Sequence, residues 1–300
     1  MYDIIIIGGG PAGLTSAIYA LEANKSVLIL EKMVEGGQVS NLFNITNYPG
    51  FENIDGFELS KRMKNQAISL GAEFKREEVV SANLEEKTIT THKNTYITKN
   101  IIIASGAYAK PLDVENEKFY YGKGLSYCAT CDGSFFKDKI VAVVGGGNSS
   151  IDDVLYLSNI ASKIYLIHRR EEFTANPKTL EKVKDLSKSG RVEILTNSIV
   201  KKIIGNNKIE GIEIFDKKLN NKMLINVDGL FVAIGRKPDT EIFAQQLELD
   251  AGGFIITDAL MRTNLKNVYA VGDVRNTPLR QIITACADGA VAVSTIVKEG

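Results

Sequence analysis

Short apolar runs alternate with amphipathic stretches along the chain, and one order of these recurs about half a chain apart. Ile4 to Ile7 is an unbroken β-branched run, the pattern of a parallel strand covered on both faces. It stops at Gly8-Gly9-Gly10-Pro11-Ala12-Gly13. From about Ala12 to Ala23, apolar residues fall at Leu14, Ala17, Ile18 and Leu21, the spacing of one helical face. Val27 to Leu30 predicts a second strand, which ends at Glu31. The second copy runs from a strand at Ile140 to Val144 into Gly145-Gly146-Gly147-Asn148-Ser149-Ser150. A helix with Ile151, Val154, Leu155 and Ile160 on its buried side follows. A strand from Ile164 to Ile167 then ends at His168-Arg169-Arg170.

Between and after the copies, Val79 to Ile103 and Val192 to Val232 read as short strands broken by turn residues. The pattern predicts an α/β protein with two nucleotide-binding folds. No low-complexity linker separates them, so proline position and motif order place the boundaries near Pro111 and Pro238.

Composition narrows the partners. A chain of 300 residues has room for one large domain or two ordinary ones. Its 44% hydrophobic and 24% charged fractions are those of a globular protein. Lys plus Arg and Asp plus Glu are both 36, without the basic excess that a nucleic-acid partner calls for. No apolar run approaches the ~20 residues of a membrane-spanning helix. The apolar start runs straight into glycines with no basic region before it, so a buried strand is expected rather than a signal peptide. Three cysteines, an odd and sparse count, do not describe a secreted disulfide scaffold, and a cytoplasmic address is expected.

Gly8, Gly10 and Gly13 form a GxGxxG turn. The first glycine permits the tight bend, the second lets backbone approach a pyrophosphate, and the third lets helix and strand pack closely. The pyrophosphate then meets the helix N-terminus, where amides and dipole favour an anion. Glu31 follows Gly8 by 23 residues, the place of an acid that grips a ribose hydroxyl pair. A carboxylate there repels a 2′-phosphate, so the site suits FAD or NAD. In the second loop Gly145 and Gly147 are followed by Ser150, where Gly or Ala is usual. Arg169 and Arg170 replace the acid, and guanidinium groups match a 2′-phosphate by charge and geometry. That points to NADP(H), although two ordinary surface cations after a strand would look the same. His168 could pack near an adenine or sit in a solvated loop.

Cys128-Ala129-Thr130-Cys131-Asp132 is a CxxC pair, and such pairs commonly hold one thiol of depressed pKa. Zinc needs two more ligands, and only Cys286 and two histidines remain, none in a matching pair; no metal is expected. A structural disulfide conflicts with the cytoplasmic reading, which leaves a redox dithiol. Asp132 could move the proton that thiol–disulfide exchange requires, or form a turn with Gly133; the two are compatible. Cys286, in the apolar run Ile282 to Val293, reads as a small buried filler.

Together, the two glycine loops, the cysteine pair between them and Gly272-Asp273-Val274 resemble the bacterial-type, low-molecular-weight thioredoxin reductases. Gly36-Gly37-Gln38, Asn47-Tyr48-Pro49-Gly50, Ala104-Ser105-Gly106-Ala107 and Arg280-Gln281-Ile282-Ile283-Thr284-Ala285 also look like segments of that family. The resemblance runs over essentially the whole chain. It implies two Rossmann-like, three-layer β/β/α domains, the second inserted in the first. Residues 1–111 and 238–300 would form an FAD domain, and 112–237 an NADPH domain carrying the dithiol.

By the same resemblance, FAD contacts fall on Gly8, Gly10, Pro11, Ala12, Gly13, Glu31, Gly37, Gln38, Asn47, Ala104, Gly106, Gly272, Asp273, Arg280, Gln281 and Ile282. NADPH contacts fall on Gly145, Gly147, Asn148, Ser149, His168, Arg169 and Arg170. Asp273 matches the acid that holds the flavin's ribityl chain. Cys131 is the thiol nearest the flavin, and Cys128 attacks the disulfide of thioredoxin or a thioredoxin-like partner; Asp132, from the residue reading above, joins them as a candidate catalytic residue. A homodimer and a rotation of one domain on the other, hinged near Pro111 and Pro238, are also implied.

Two departures bear on the donor: Thr174 stands where the family usually carries a third arginine, and Ser150 ends the second loop. They leave NADH or a ferredoxin conceivable as donor. Lys110 stands where arginine is common. A ferredoxin–NADP reductase on the same frame lacks the dithiol, so Cys128 and Cys131 argue against that rival. A reductase for a peroxidase-linked dithiol domain and a non-enzymatic flavin redox sensor complete the alternatives.

Overall fold

The computed structural model describes residues 1–42 and 45–300, and the chain divides into two units. Unit 1 comprises Met1–Tyr108 and Lys237–Gly300, and unit 2 is Ala109–Arg236. Pro111 therefore falls inside unit 2 and Pro238 inside unit 1. The chain crosses on the short strands Ala107–Ala109 and Arg236–Pro238, which pair as a two-stranded sheet.

In unit 1 the strands Glu73–Arg76, Val27–Glu31, Tyr2–Ile7, Thr95–Ile103 and Val268–Ala270 pair in parallel in that order. Beside Tyr2–Ile7 on one edge, the Thr95–Ile103 strand serves two neighbours on the other. Its far end pairs with Val268–Ala270, while its near end runs antiparallel to Thr88–Thr91, which pairs in turn with Val79–Asn83. Successive side chains of a strand point to opposite faces, and the isoleucine run feeds two cores. Ile4 and Ile6 pack with Leu14, Ala17 and Ile18, whereas Ile5 and Ile7 pack with Leu84, Ile89 and Phe243.

The helix Pro11–Glu22 is buried over more than the predicted face, with Ala12, Gly13, Thr15, Ser16 and Ala20 also enclosed. It packs on the helices Ile282–Glu299 and Gly56–Ser69 as well as on the sheet, so no side of it keeps the width of a surface helix. The approach is close. A Cβ on Gly289 would lie 2.5 Å from Ala12 O, and one on Gly272 2.9 Å from Ala12 Cβ.

Unit 2 repeats the plan. Val192–Leu195, Lys163–Ile167, Ile140–Val144, Gly229–Val232 and Leu125–Ser126 pair in parallel. The helices Asn148–Leu157 and Pro177–Lys188 cover one face through Ile151, Val154, Leu157 and Val183. An antiparallel meander of Ser198–Ile204, Gly211–Asp216 and Asn221–Asn226 covers the other through Val200, Ile212 and Ile214. Each unit is thus the three-layer arrangement of a Rossmann-like fold. Ile160, assigned from its spacing to the buried side of a helix, lies in the turn beyond the helix end at Leu157 and is half-buried. Among the described residues no helix is long and apolar enough to cross a membrane.

Candidate active site

The first glycine loop is built by close backbone packing in unit 1. Gly8 has φ +110°, and a Cβ there would lie 2.3 Å from Ala104 O; a Cβ on Gly13 would lie 2.0 Å from Gly8 O. Neither position tolerates a side chain. At Gly10 the nearest atom to a Cβ is Gly36 O, 3.9 Å away, so this stretch of backbone is bare. Pro11 opens the helix with φ already suited to it, and the first-turn amides have no partner within the helix.

Glu31 is 8% exposed at the strand end. Its Oε2 accepts Gly9 N–H at 2.7 Å and its Oε1 accepts Met33 N–H at 2.8 Å. Each oxygen keeps acceptor capacity for a ribose hydroxyl. Bare backbone at a helix N-terminus beside such an acid fits the adenosine-diphosphate half of FAD.

Further parts of unit 1 converge on this loop. Gly36 N–H donates to Gly9 O at 2.8 Å, and Asn47 Nδ2 donates to Gln281 Oε1 at 3.0 Å. Gln281 caps the Ile282–Glu299 helix in a reciprocal box with Thr284, which puts the positive helix end at Arg280 to Ile282. The Arg280 guanidinium lies over the Phe254 ring at 4.1 Å. Sequence reasoning missed Asp288. Its Oδ2 accepts Gly272 N–H at 3.0 Å and pairs with Arg275 at 3.1 Å, which anchors the turn that carries Asp273. Only the helical turn between Thr284 and Asp288 could have signalled this. Cys286 is buried, its Sγ 3.9 Å from Tyr48 Oη and from Pro11 O, and burial pushes its thiol pKa up.

In the second loop Ser150 is fully buried. A Cβ on Gly145 would lie 2.6 Å from Ser150 Cβ, and the serine hydroxyl donates to Gly147 O at 2.8 Å. The loop therefore holds a third residue with a Cβ, which the first loop cannot. Asn148 Oδ1 accepts Asn176 N–H at 2.7 Å, tying the loop to the start of the Pro177–Lys188 helix. Arg169 and Arg170 are exposed at the strand tip, and Ser149 is exposed on the loop.

His168 is not on that surface. Its ring is buried against Gly146, stacks on Phe173 at 4.7 Å and shares an Nε2–Glu172 O hydrogen bond of 2.9 Å. Burial pushes its pKa below the ordinary imidazole value. Thr174 turns inward too, its N–H and hydroxyl both donating to Gly146 O at 2.8 and 3.2 Å. A cation that sequence reasoning missed does reach the tip: Lys217 Nζ donates to Arg169 O at 2.5 Å. It comes from the meander, far along the chain, and nothing in the local pattern marks it.

The cysteine pair lies in unit 2 with the second loop. Cys128 and Cys131 are joined by a disulfide, their Cα atoms 5.3 Å apart, with Cys128 capping the four-residue helix Ala129–Asp132. Asp132 N–H donates to Cys128 O at 3.1 Å. The Asp132 carboxyl is half-buried, and that burial pushes its pKa up, while the Ser126 hydroxyl donating to Oδ2 at 2.5 Å pulls it down.

The residue before Cys128 is also tied. Tyr127 Oη donates at 2.6 Å to Glu117, a buried carboxylate that also accepts Leu112 and Asp113 N–H at 2.8 and 3.0 Å. Among the described residues no group of three or more His, Cys, Asp or Glu side chains could hold a metal.

A profile of the pyridine nucleotide-disulphide oxidoreductases matches residues 2–289. The chain belongs to this family. It is 40% identical over 296 residues to the thioredoxin reductase of Listeria monocytogenes, covering 97% of this chain and 92% of that protein. The thioredoxin reductase of Bacillus subtilis is 38% identical over 299 residues, 99% of this chain and 94% of that one. The crystal structure of thioredoxin reductase from Streptococcus pyogenes superposes with a TM-score of 0.91 at 38% identity, covering 99% and 97% of the two chains.

Proposed function

We propose that this protein is a thioredoxin-disulfide reductase that passes electrons from NADPH, through FAD and the Cys128/Cys131 pair, to oxidised thioredoxin or a thioredoxin-like protein. The observation that carries the reading is a closed CxxC disulfide beside a half-buried carboxyl, on the unit that bears the second glycine loop. Bound FAD supplies a two-electron carrier between a nicotinamide and a disulfide. Glu31 and the Gly8–Gly13 turn hold its adenosine diphosphate, and Asp273 with the helix end at Gln281 faces its remainder. Arg169 and Arg170 read the 2′-phosphate of NADPH, with Gly145, Gly147, Asn148 and Ser149 along its pyrophosphate.

In the acceptor half-reaction the Cys128 thiolate attacks the partner's disulfide, forming a mixed disulfide and releasing one partner thiolate. Cys131 then attacks Cys128 Sγ, which restores the internal disulfide and releases the second. The two protons that leave Cys128 and Cys131 end on the partner's two thiols, and Asp132 is the group that passes them. Because nucleotide loop and dithiol share unit 2, one flavin serves them in turn. The proposal therefore includes rotation between the units, hinged at the paired crossing strands. We place the protein in the cytoplasm as a homodimer.

Thr174 favours a second reading of the donor alone. Its hydroxyl is committed to Gly146 O and gives the 2′-phosphate no cation, so NADH or a ferredoxin would replace NADPH. The test is anaerobic bleaching of the flavin by NADPH, NADH and reduced ferredoxin in turn, followed by addition of oxidised thioredoxin. Fast bleaching by NADPH and recovery on thioredoxin are expected. C128S and C131S proteins should still bleach but fail to reduce thioredoxin. Bleaching by ferredoxin alone would refute the donor, and thioredoxin reduction without either cysteine would refute the dithiol path.

A further inference from the structure

Ser126 ends the short strand before the cysteine pair and is 2% exposed, so no water takes the place of its hydrogen bonds. Its Oγ stands 2.5 Å from Asp132 Oδ2 and 3.3 Å from Cys128 O, and it accepts Cys128 N–H at 3.0 Å. The next side chain points the other way, into Glu117. The tripeptide into Cys128 is thus pinned on both sides. We propose that Ser126 is the positioning residue for the Asp132 carboxyl and holds it in both of its protonation states. The inference rests on the reading of Asp132 as the proton carrier of the dithiol.

A hydroxyl has one hydrogen and two acceptor sites. When Asp132 is ionised, that hydrogen goes to Oδ2. When Asp132 is protonated, the carboxyl donates to Ser126 Oγ and the serine hydrogen turns to Cys128 O. Cys128 N–H stays bonded throughout. Ser126 neither gains nor loses a proton, and the carboxyl need not move as its charge changes. Other titratable groups face this carboxyl. Tyr121 feels its charge, after burial the largest influence on that phenol. Cys128 and Cys131 flank it on its own segment. Asp153 and Tyr156 lie on the Asn148–Leu157 helix that packs on the cysteine helix, with the Tyr156 ring 3.0 Å from a Cβ built on Gly133. Arg236 acts on both Tyr121 and Asp153.

The test follows Asp132 by 13C NMR in the oxidised holoprotein with labelled aspartate, the signal assigned by its loss in D132N. In S126A the carboxyl should titrate about one pH unit higher, the difference between a hydrogen bond to the charged carboxylate and one to the neutral acid. S126T, which keeps the hydroxyl, should restore the parent value; S126G serves where the alanine protein does not fold. The alkaline limb of dithiol reoxidation by a disulfide acceptor should rise by the same amount. An unchanged Asp132 titration in S126A overturns the inference. A shifted titration with an unchanged rate profile supports Ser126 as the positioning residue and refutes Asp132 as the proton carrier.

Discussion

Asp153 sits in the second turn of the helix after the second glycine loop, and its carboxyl is mostly covered. Burial pushes its pKa up, neighbouring Asp152 pushes it further, and Arg236 pulls part of this back, leaving it at about 6. A carboxylate of an unfolded chain titrates near 3.8. The folded state therefore holds the proton more tightly than the unfolded state. Stability from this residue is greatest below pH 3.8, falls as pH rises to about 6, and stays low above that. At about 1.4 kcal/mol per pH unit the full difference is about 3 kcal/mol, an upper value because water reaches part of the group.

Asparagine keeps the shape and removes the charge. D153N should be more stable than the parent at pH 8 by 1 to 3 kcal/mol (order of magnitude), with the gap closing near pH 4. The assay is urea unfolding at pH 4, 6 and 8 with FAD at fixed concentration. The chain has no tryptophan, so circular dichroism is the probe. The transition to compare is that of unit 2, since two units need not unfold together. A D153N protein with the parent's pH slope, or one less stable than the parent at pH 8, would refute the reasoning.

The two glycine loops should respond oppositely to small side chains. In G13A the new Cβ meets backbone 2.0 Å away, and the protein should purify without flavin absorbance. S150A keeps its Cβ and should bind nucleotide as the parent does, at a stability cost of about 1 kcal/mol by thermal melt. K217A should weaken NADP+ binding up to about fivefold in calorimetry and leave NAD+ unchanged, because one exposed charge at the Arg169 tip is worth up to about 1 kcal/mol. Y127F should lower stability by about 1 kcal/mol and E117A by about 3 kcal/mol, since the first loses one hydrogen bond and the second leaves three donors without an acceptor. Equal effects in differential scanning calorimetry would show that the tyrosine carries the whole tie.

Much of the architecture was legible because strand, glycine turn, helix and strand are local patterns with their own periods. The run Ile4 to Ile7 signals a strand covered on both faces whatever packs there, and CxxC signals a dithiol once the missing further ligands argue against zinc and the cysteine count against a structural disulfide. The acid at Glu31 and the arginines at 169 and 170 follow from the length of one β–α–β unit, which sets where the second strand ends. Tertiary structure decided what spacing does not encode. His168 lies next to two arginines in sequence, yet it packs under Gly146, where its ring takes the space a Cβ would fill. Thr174 faces the loop through Gly146 O, and Lys217 reaches the tip because the meander folds back onto the strand end from some fifty residues away. Asp288 supports the Asp273 turn across a helix–loop gap. Ser126, Glu117 and Tyr127 surround the cysteine pair through hydrogen bonds that close only when the strand into Cys128 is laid beside the chain entering unit 2. Periodicity fixes which face a residue takes; which distant groups meet on that face, as Ser126 meets Asp132, depends on how the layers close.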